Sequence, residues 1–227
     1  MTIADNLMRV EESISGAAAR AGRDPSDVTL VAVTKTVDAA AIEKAIDAGV
    51  ANIGENYVQD SLAKYDVIGG RVRWHMIGHL QRNKVARAVH VFDLIQSVDN
   101  LALAREIAER SSSIGKSQDV LIEVNVSGEE SKSGIAPEAA LDLVGEVSSV
   151  HGVRVCGLMG IGPLTDDETA VRRSFVLLRE LWGQLPEGNR LWLSMGMTSD
   201  FEVAIEEGSN MVRIGTAIFG PRAPRKP

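Results

Sequence analysis

Short β-rich apolar runs alternate along the chain with segments in which apolar residues recur at helical spacing. These patterns predict eight strands and helices between them. The predicted strands are Val28 to Thr34, Asn52 to Gly54, Arg73 to Ile77, Leu94 to Ser97, Val120 to Val126, Val153 to Met159, Arg190 to Ser194 and Met211 to Ile214. The predicted helices include Asp38 to Ala48, Asn100 to Arg110, Pro137 to Val147, Glu168 to Leu185 and Asp200 to Glu207.

Eight strand-and-helix repeats of this length predict an α/β fold, a single TIM-type (β/α)8 barrel domain covering residues 1–227. No GxGxxG or Walker pattern follows the first strand, which disfavours an open doubly wound sheet. An additional N-terminal helix is predicted by a capping box, Thr2 with Asp5, before a helically spaced apolar series. We expect this extra helix to replace a missing or short eighth helix.

In a barrel the functional groups lie at the carboxyl ends of the strands, so the residues there are the candidates for a site. They are Lys35, Glu55, Asn56, Gly78, His79, Ser97, Asn125, Met159, Gly160, Ser194, Met195, Gly196, Arg213, Ile214, Gly215 and Thr216. Polar residues and glycines gather at this end of the strands. The full set therefore favours a ligand site at the barrel mouth.

Lys35 ends the apolar run LVAVTK, where its ammonium group either reaches solvent or takes part in a reaction. Across the mouth, glycines and hydroxyl residues in LSMGMTSD and RIGT favour a phosphate cup. The simpler alternative is a pair of glycine-assisted turns with capping hydroxyls. A lysine facing a phosphate cup suggests a Schiff base with a phosphorylated aldehyde or ketone. Arg213 is the cation placed to lower the pKa of such a lysine.

Composition narrows the classes of partner. The net charge of −7 argues against a nucleic-acid or anionic-membrane binder, because such surfaces are basic. No apolar run approaches the length of a membrane span, and the N-terminus has no signal-peptide pattern, so a cytoplasmic location is expected. Cys156 is the only cysteine and is predicted to be a buried structural thiol. No metal site is expected, since His75 and His79 lie in a strand-to-loop passage rather than on a helix face.

Eight segments occur in an order that is similar to the pyridoxal phosphate homeostasis protein family, whose barrel resembles the N-terminal domain of alanine racemase. The segments are VAVTK, NIGENYVQD, WHMIGHLQRNK, IQSVDN, EVNVSGEESKSGI, GLMGI, LSMGMTSDFEVAI and VRIGTAIFG. The resemblance covers nearly the whole chain. One small departure is Thr198, where serine is expected; the hydroxyl is retained.

The resemblance implies that pyridoxal 5'-phosphate (PLP) is the cofactor and is held as a Schiff base on Lys35. It also implies that Arg213 faces the pyridine nitrogen. The phosphate would be held by Ser194, Gly215 and Thr216 with the backbone near Ser199. Asn56 and His79 would flank the ring, and Met159 completes the set of cofactor-binding candidates.

The function implied by the resemblance is non-catalytic: PLP storage, buffering or delivery. PLP-dependent apoenzymes are expected as partners, and the chain is expected to be a monomer. An enzyme is the alternative, either a small amino-acid racemase or a Schiff-base aldolase. Racemisation needs a second base opposite Lys35, and Tyr57 is the one candidate. An arginine at the ring nitrogen also weakens the cofactor as an electron sink. The loop from Gly128 to Gly134 is interpreted either as a polar lid or as a plain surface loop.

Overall fold

The computed structural model describes residues 2–129 and 132–221, which form a closed parallel barrel. Its strands follow one another in chain order, and the last pairs with the first. They are β1 (Thr29–Val33), β2 (Asn52–Glu55), β3 (Arg73–Met76), β4 (Leu94–Val98), β5 (Gln118–Val124), β6 (Val153–Gly160), β7 (Trp192–Ser194) and β8 (Met211–Ile214). The predicted α/β barrel is confirmed, and each predicted strand overlaps an observed one.

Helices cover the outside of the barrel. They are α1 (Ile3–Arg20), α2 (Ala39–Asp47), α3 (Val58–Ile68), α4 (Val85–Val91), α5 (Leu101–Ser112), α6 (Ala140–Ser148), α7 (Glu168–Gly183), α8 (Phe201–Glu206) and α9 (Thr216–Phe219). The helices predicted from periodicity overlap α2 and α5 to α8. The first turn of the helix predicted from Pro137 is a separate 3-10 turn, Pro137–Ala139.

The N-terminal helix α1 replaces the eighth barrel helix. Its capping box is formed as predicted, with the Asp5 amide donating to Thr2 Oγ1 over 3.1 Å and the Thr2 amide donating to Asp5 Oδ2 over 2.8 Å. The helix after β8, α9, has only four residues. Helix α1 packs beside α2, α8 and α9, and Asn6 Nδ2 donates to the Ile218 carbonyl. The expected substitution is therefore confirmed.

Two apolar cores stabilise the barrel. The larger one lies between the strands and the helices. The smaller one fills the interior with Val31, Leu94, Leu121, Cys156, Met159 and Met211. Cys156 is a free, buried thiol, and burial together with Asp119 raises its pKa to about 11. The predicted burial of this thiol is confirmed, and a raised pKa makes a thiol a poor nucleophile at neutral pH.

A substitution at Gly157 in β6 would test the close packing of β6 against β7. Gly157 has φ of 145°, and a Cβ there would overlap the carbonyl oxygen of its partner Trp192 in β7. We expect Gly157→Ala to lower the free energy of unfolding by more than about 2 kcal/mol. Chemical denaturation would measure the change. The control is Gly145→Ala in α6, where a Cβ meets no atom within 4 Å and should be neutral or slightly stabilising. Equal effects of the two substitutions would contradict the packing described.

Candidate functional site

Lys35 lies in the turn directly after β1, at the barrel mouth. Its side chain is partly buried and lines a cavity of about 170 Å³ together with Gly215 and Thr216, which follow β8. The two strands approach closely here, since a Cβ on Gly215 would lie 3.2 Å from the carbonyl oxygen of Val33. The next residue, Thr36, has φ of 66°, an uncommon conformation for a residue other than glycine. The structure thus brings three of the predicted residues to one cavity.

The residue before Lys35 is held by a buried ion pair. Lys64 of α3 donates to Glu55 Oε1 over 2.6 Å and to the Thr34 carbonyl over 2.8 Å. The Thr34 hydroxyl donates to the same carboxylate oxygen, also over 2.6 Å. Glu55, one of the strand-end candidates, is fully buried in this arrangement. Its role is to fix the end of β1, from which Lys35 projects.

The loop after β7 lies against the start of α9. Gly196 has φ of 95°, and the Met197 amide donates to Asp200 Oδ1 over 2.6 Å, which makes a tight turn. Thr216 Oγ1 and Thr198 Oγ1 are 3.2 Å apart, so the loops after β7 and β8 are joined by a hydroxyl pair. Ser199 is exposed beside them. In α9 the Ile218 and Phe219 amides both donate to the Gly215 carbonyl, which holds this short helix against the end of β8.

Arg213 of β8 is buried inside the barrel, only 4% exposed. Nη1 donates to Ser194 Oγ over 2.5 Å, and Nη2 donates to the Gly160 carbonyl over 2.9 Å. Burial lowers the pKa of Arg213 to about 10, against the opposing effect of Asp200 and Glu123. The guanidinium therefore stays charged at neutral pH.

A chain of buried side chains continues from Arg213 across the barrel. The Ser194 hydroxyl donates to Gln96 Oε1 over 2.7 Å, and Gln96 Nε2 lies 2.9 Å from His75 Nδ1. Because an amide nitrogen can only donate, His75 Nδ1 accepts, and its Nε2–H is left to donate to Asn52 Oδ1 at 3.2 Å. Burial lowers the pKa of His75 to about 3, so the ring is neutral. Every bond in this chain thus points away from Arg213.

Three residues of this hydrogen-bonded series, Gln96, His75 and Asn52, were not among the residues predicted at the site. The available signal was a polar residue at an inward position of an otherwise apolar strand, Gln96 in LIQSV. Ser194, which was predicted to bind the phosphate, is fully buried, and its hydroxyl is hydrogen-bonded to Arg213 and Gln96. Met159 is fully buried in the interior core and lines none of the cavities described here.

Asn56 and His79 line a second cavity of about 210 Å³ at the mouth, together with Glu123, Asn125 and Lys132. Glu123 is 5% exposed, and burial with the nearby Asp99 raises its pKa to about 7, opposed by Arg213. Asn125 was predicted at the strand end but Glu123 was not, because a carboxylate inside an apolar strand resembles the ordinary alternation of polar and apolar residues.

The loop from Gly128 to Gly134 borders this second cavity. Lys132 Nζ donates to the Gly162 carbonyl over 2.9 Å and pairs with Glu129 over the same distance. Asn125 Nδ2 donates to the Glu129 carbonyl, which fastens the loop to the end of β5. Glu130 and Ser131 lie outside the described residues, and a lid role for the loop remains a prediction.

The part of the chain that the structure describes contains no cluster of three or more histidine, cysteine, aspartate or glutamate residues suited to a metal ion. His75 faces Gln96 and Asn52, while His79 is exposed at the mouth, so the two do not form a pair. Within residues 2–129 and 132–221, no helix is long and apolar enough to span a membrane.

Comparison with known proteins places this geometry in context. The family model described as the alanine racemase N-terminal domain matches residues 6–223. The chain is 43% identical to the pyridoxal phosphate homeostasis protein of Pseudomonas aeruginosa, over 97% of this chain and 96% of that one. A crystal structure of an unknown protein from Bifidobacterium adolescentis superposes with a TM-score of 0.91 at 42% identity, covering 95% of this chain and 94% of the other. PipY of Synechococcus elongatus, solved with PLP bound, gives a TM-score of 0.80 at 34% identity, covering 96% and 100% of the two chains.

The neutral, buried His75 predicts how stability depends on pH. Its folded pKa of about 3 lies below the ordinary value of 6.5, so between these values the unfolded chain binds more protons. Its contribution to stability is therefore lost as the pH falls, by about 2 kcal/mol at pH 5 relative to pH 7. Glu123 acts in the opposite direction, so the test compares wild type with His75→Gln, which share Glu123. The wild-type free energy of unfolding should fall more steeply with acidity, whereas parallel pH profiles would refute the assignment.

Proposed function

Because the chain belongs to the pyridoxal phosphate homeostasis protein family, we propose that it binds PLP without catalysis and stores, buffers or delivers it. The observation that carries the proposal is the cavity that Lys35 shares with Gly215 and Thr216. The residues fit the cofactor because an amine, a close-packed glycine and several hydroxyls meet at one mouth. PLP supplies an aldehyde, which forms a Schiff base with a primary amine.

We assign Lys35 as the residue that bonds to the aldehyde carbon. Lys64 and Glu55 support this assignment, since they hold the end of β1 from which Lys35 projects. The phosphate would be bound by Thr216, the Gly215 backbone and the loop at Ser199. Thr198 joins this group through its contact with Thr216. The absence of a side chain at Gly215 leaves room for an anion to approach the backbone.

Arg213 is assigned to the ring nitrogen of the cofactor. In this arrangement Ser194 orients the guanidinium through its hydroxyl and does not bind the phosphate, which revises the expectation from the sequence. Asn56 and His79 would flank the ring at the open side of the mouth. Met159 would support it from below as part of the interior core.

We infer the lack of catalysis from the position assigned to Arg213 at the ring nitrogen. A guanidinium is a permanent donor and cannot accept a proton from the ring, so the ring nitrogen stays unprotonated. An unprotonated ring is a weak electron sink, which disfavours racemisation and transamination. We further propose that the protein works in the cytoplasm as a monomer and that PLP-dependent apoenzymes receive the cofactor.

The lysine assignment is tested by borohydride reduction of the PLP-loaded protein. Wild type should carry one stable adduct on Lys35, identified by mass spectrometry of peptides. Lys35→Ala should lose the adduct and keep its fold by circular dichroism. The matched control, Lys44→Ala, removes an exposed lysine of α2 and should retain the adduct. An adduct on another wild-type lysine, with Lys35 unmodified, would contradict the proposal.

The phosphate assignment is tested by comparing PLP with pyridoxal. Charge-assisted hydrogen bonds contribute roughly 1.5–3 kcal/mol each, so PLP should bind at least about a hundredfold more tightly, a difference of about 2.7 kcal/mol. Thr216→Val should weaken PLP at least about tenfold and leave pyridoxal unchanged. Binding would be followed by absorbance titration. Equal losses for the two ligands would show that Thr216 acts on something other than the phosphate.

A further inference from the structure

Gln96 is a fully buried amide of β4 and lies within the hydrogen-bonded series that begins at Arg213. Its Nε2 group has two neighbours, His75 Nδ1 at 2.9 Å and Met211 Sδ at 3.2 Å. Its Oε1 atom lies 2.7 Å from Ser194 Oγ. Gln96 therefore connects β4 to side chains of β3, β7 and β8.

Two separate constraints fix the orientation of this amide. A thioether sulfur accepts hydrogen bonds and cannot donate them, so the NH2 group of Gln96 faces Met211 and Oε1 faces Ser194. The Ser194 hydroxyl already accepts from Arg213, and its own hydrogen needs an acceptor, which Oε1 supplies. A reversed amide would leave that hydrogen unpaired in the barrel interior, which is unfavourable. Both constraints give the same orientation.

The orientation of Gln96 decides how Ser194 meets the guanidinium of Arg213. Because the hydroxyl hydrogen points to Gln96, a lone pair of Ser194 Oγ is left for Arg213 Nη1. The second contact of the guanidinium runs from Nη2 to the Gly160 carbonyl over 2.9 Å. A planar group held at two points keeps its remaining N–H groups in one direction. Removal of the Gln96 amide would free the hydroxyl and loosen one of these two contacts.

We propose that Gln96 is the positioning residue for recognition of the cofactor's ring nitrogen, and that it acts through Ser194 to hold Arg213 in the orientation that donates to a pyridine. The role rests on the proposed function, in which Arg213 faces that nitrogen. Gln96 itself is separated from the ligand by Ser194 and Arg213. Through this amide the protein distinguishes a ring nitrogen with a free lone pair from a C–H group at the same position.

The first test uses the cofactor-free protein and measures the side-chain ¹H–¹⁵N NMR signals of Arg213, assigned by their loss in Arg213→Lys. A guanidinium held at two points rotates slowly about its Cζ–N bonds, so wild type should show separate Nη signals. Gln96→Met, which keeps the side-chain length without the amide, should broaden or merge them. Gln118→Met is the matched control, because Gln118 is also fully buried and donates to two backbone carbonyls, but at the start of β5. It should leave the Arg213 signals unchanged.

The second test compares the affinities of PLP and its 1-deaza analogue, in which a C–H group replaces the ring nitrogen. Wild type should bind PLP at least about tenfold more tightly, since the analogue leaves a buried N–H of Arg213 unpaired. Gln96→Met should reduce this preference to below about threefold, and Gln118→Met should retain it. Ser194→Ala should reduce the preference likewise. Adding Gln96→Met to Ser194→Ala should then cause no further reduction, because the amide acts through that hydroxyl.

The outcomes separate the role of Gln96 from the proposed function. A wild-type preference for PLP that persists in Gln96→Met, or wild-type Arg213 signals in that variant, would overturn the role of Gln96 alone. Equal binding of the two ligands by wild type would overturn both that role and the assignment of Arg213 to the ring nitrogen. Equal losses in Gln96→Met and Gln118→Met would show general destabilisation of the barrel and would also overturn the proposal. Gln96→Leu replaces Gln96→Met if circular dichroism shows that the latter does not fold.

Discussion

The burial of one positive charge, that of Arg213, is the constraint on which the structure beneath the barrel mouth depends. An isolated charge inside a protein is very unfavourable unless it is paired and hydrogen-bonded. Here the guanidinium donates to Ser194 and to the Gly160 carbonyl, and the fields of Asp200 and Glu123 favour its charged form. Gln96 and His75 then extend the hydrogen bonding across the barrel from Ser194 to Asn52.

These hydrogen bonds all run in one direction, away from Arg213, and this direction has consequences for function. Because each member donates away from Arg213, Ser194 must present its lone pairs to the guanidinium, and His75 must adopt the tautomer with hydrogen on Nε2. A neutral His75 adds no second positive charge to the interior. The guanidinium is therefore fixed below the mouth as a hydrogen-bond donor, and it cannot act as an acceptor. In the proposed function this property prevents activation of the cofactor ring, while Lys35 and the loops at Thr216 hold the cofactor in place.

Much of this arrangement could be predicted from the sequence, because it depends on local patterns. Strand periodicity and the capping box identified the eight strands and the additional helix, and the position of Lys35, Gly215 and Thr216 at strand ends brought them to one mouth. The cross-barrel pairs could not be predicted in this way. A period of two indicates that Gln96 shares a face with Leu94, but which polar group it meets depends on the stagger of strands far apart in sequence. For the same reason the sequence could not show that the Ser194 hydroxyl contacts both Arg213 and Gln96.

The protonation state of the cofactor's ring nitrogen tests the central claim most directly. The protein would be loaded with PLP labelled with ¹⁵N in the pyridine ring, and the ¹⁵N chemical shift would be measured by NMR across neutral pH. The account predicts the shift of an unprotonated pyridine nitrogen that accepts a hydrogen bond, with no one-bond coupling to a proton. The shift of a pyridinium nitrogen carrying its own proton would contradict it, because Arg213 could not then occupy the position assigned to it.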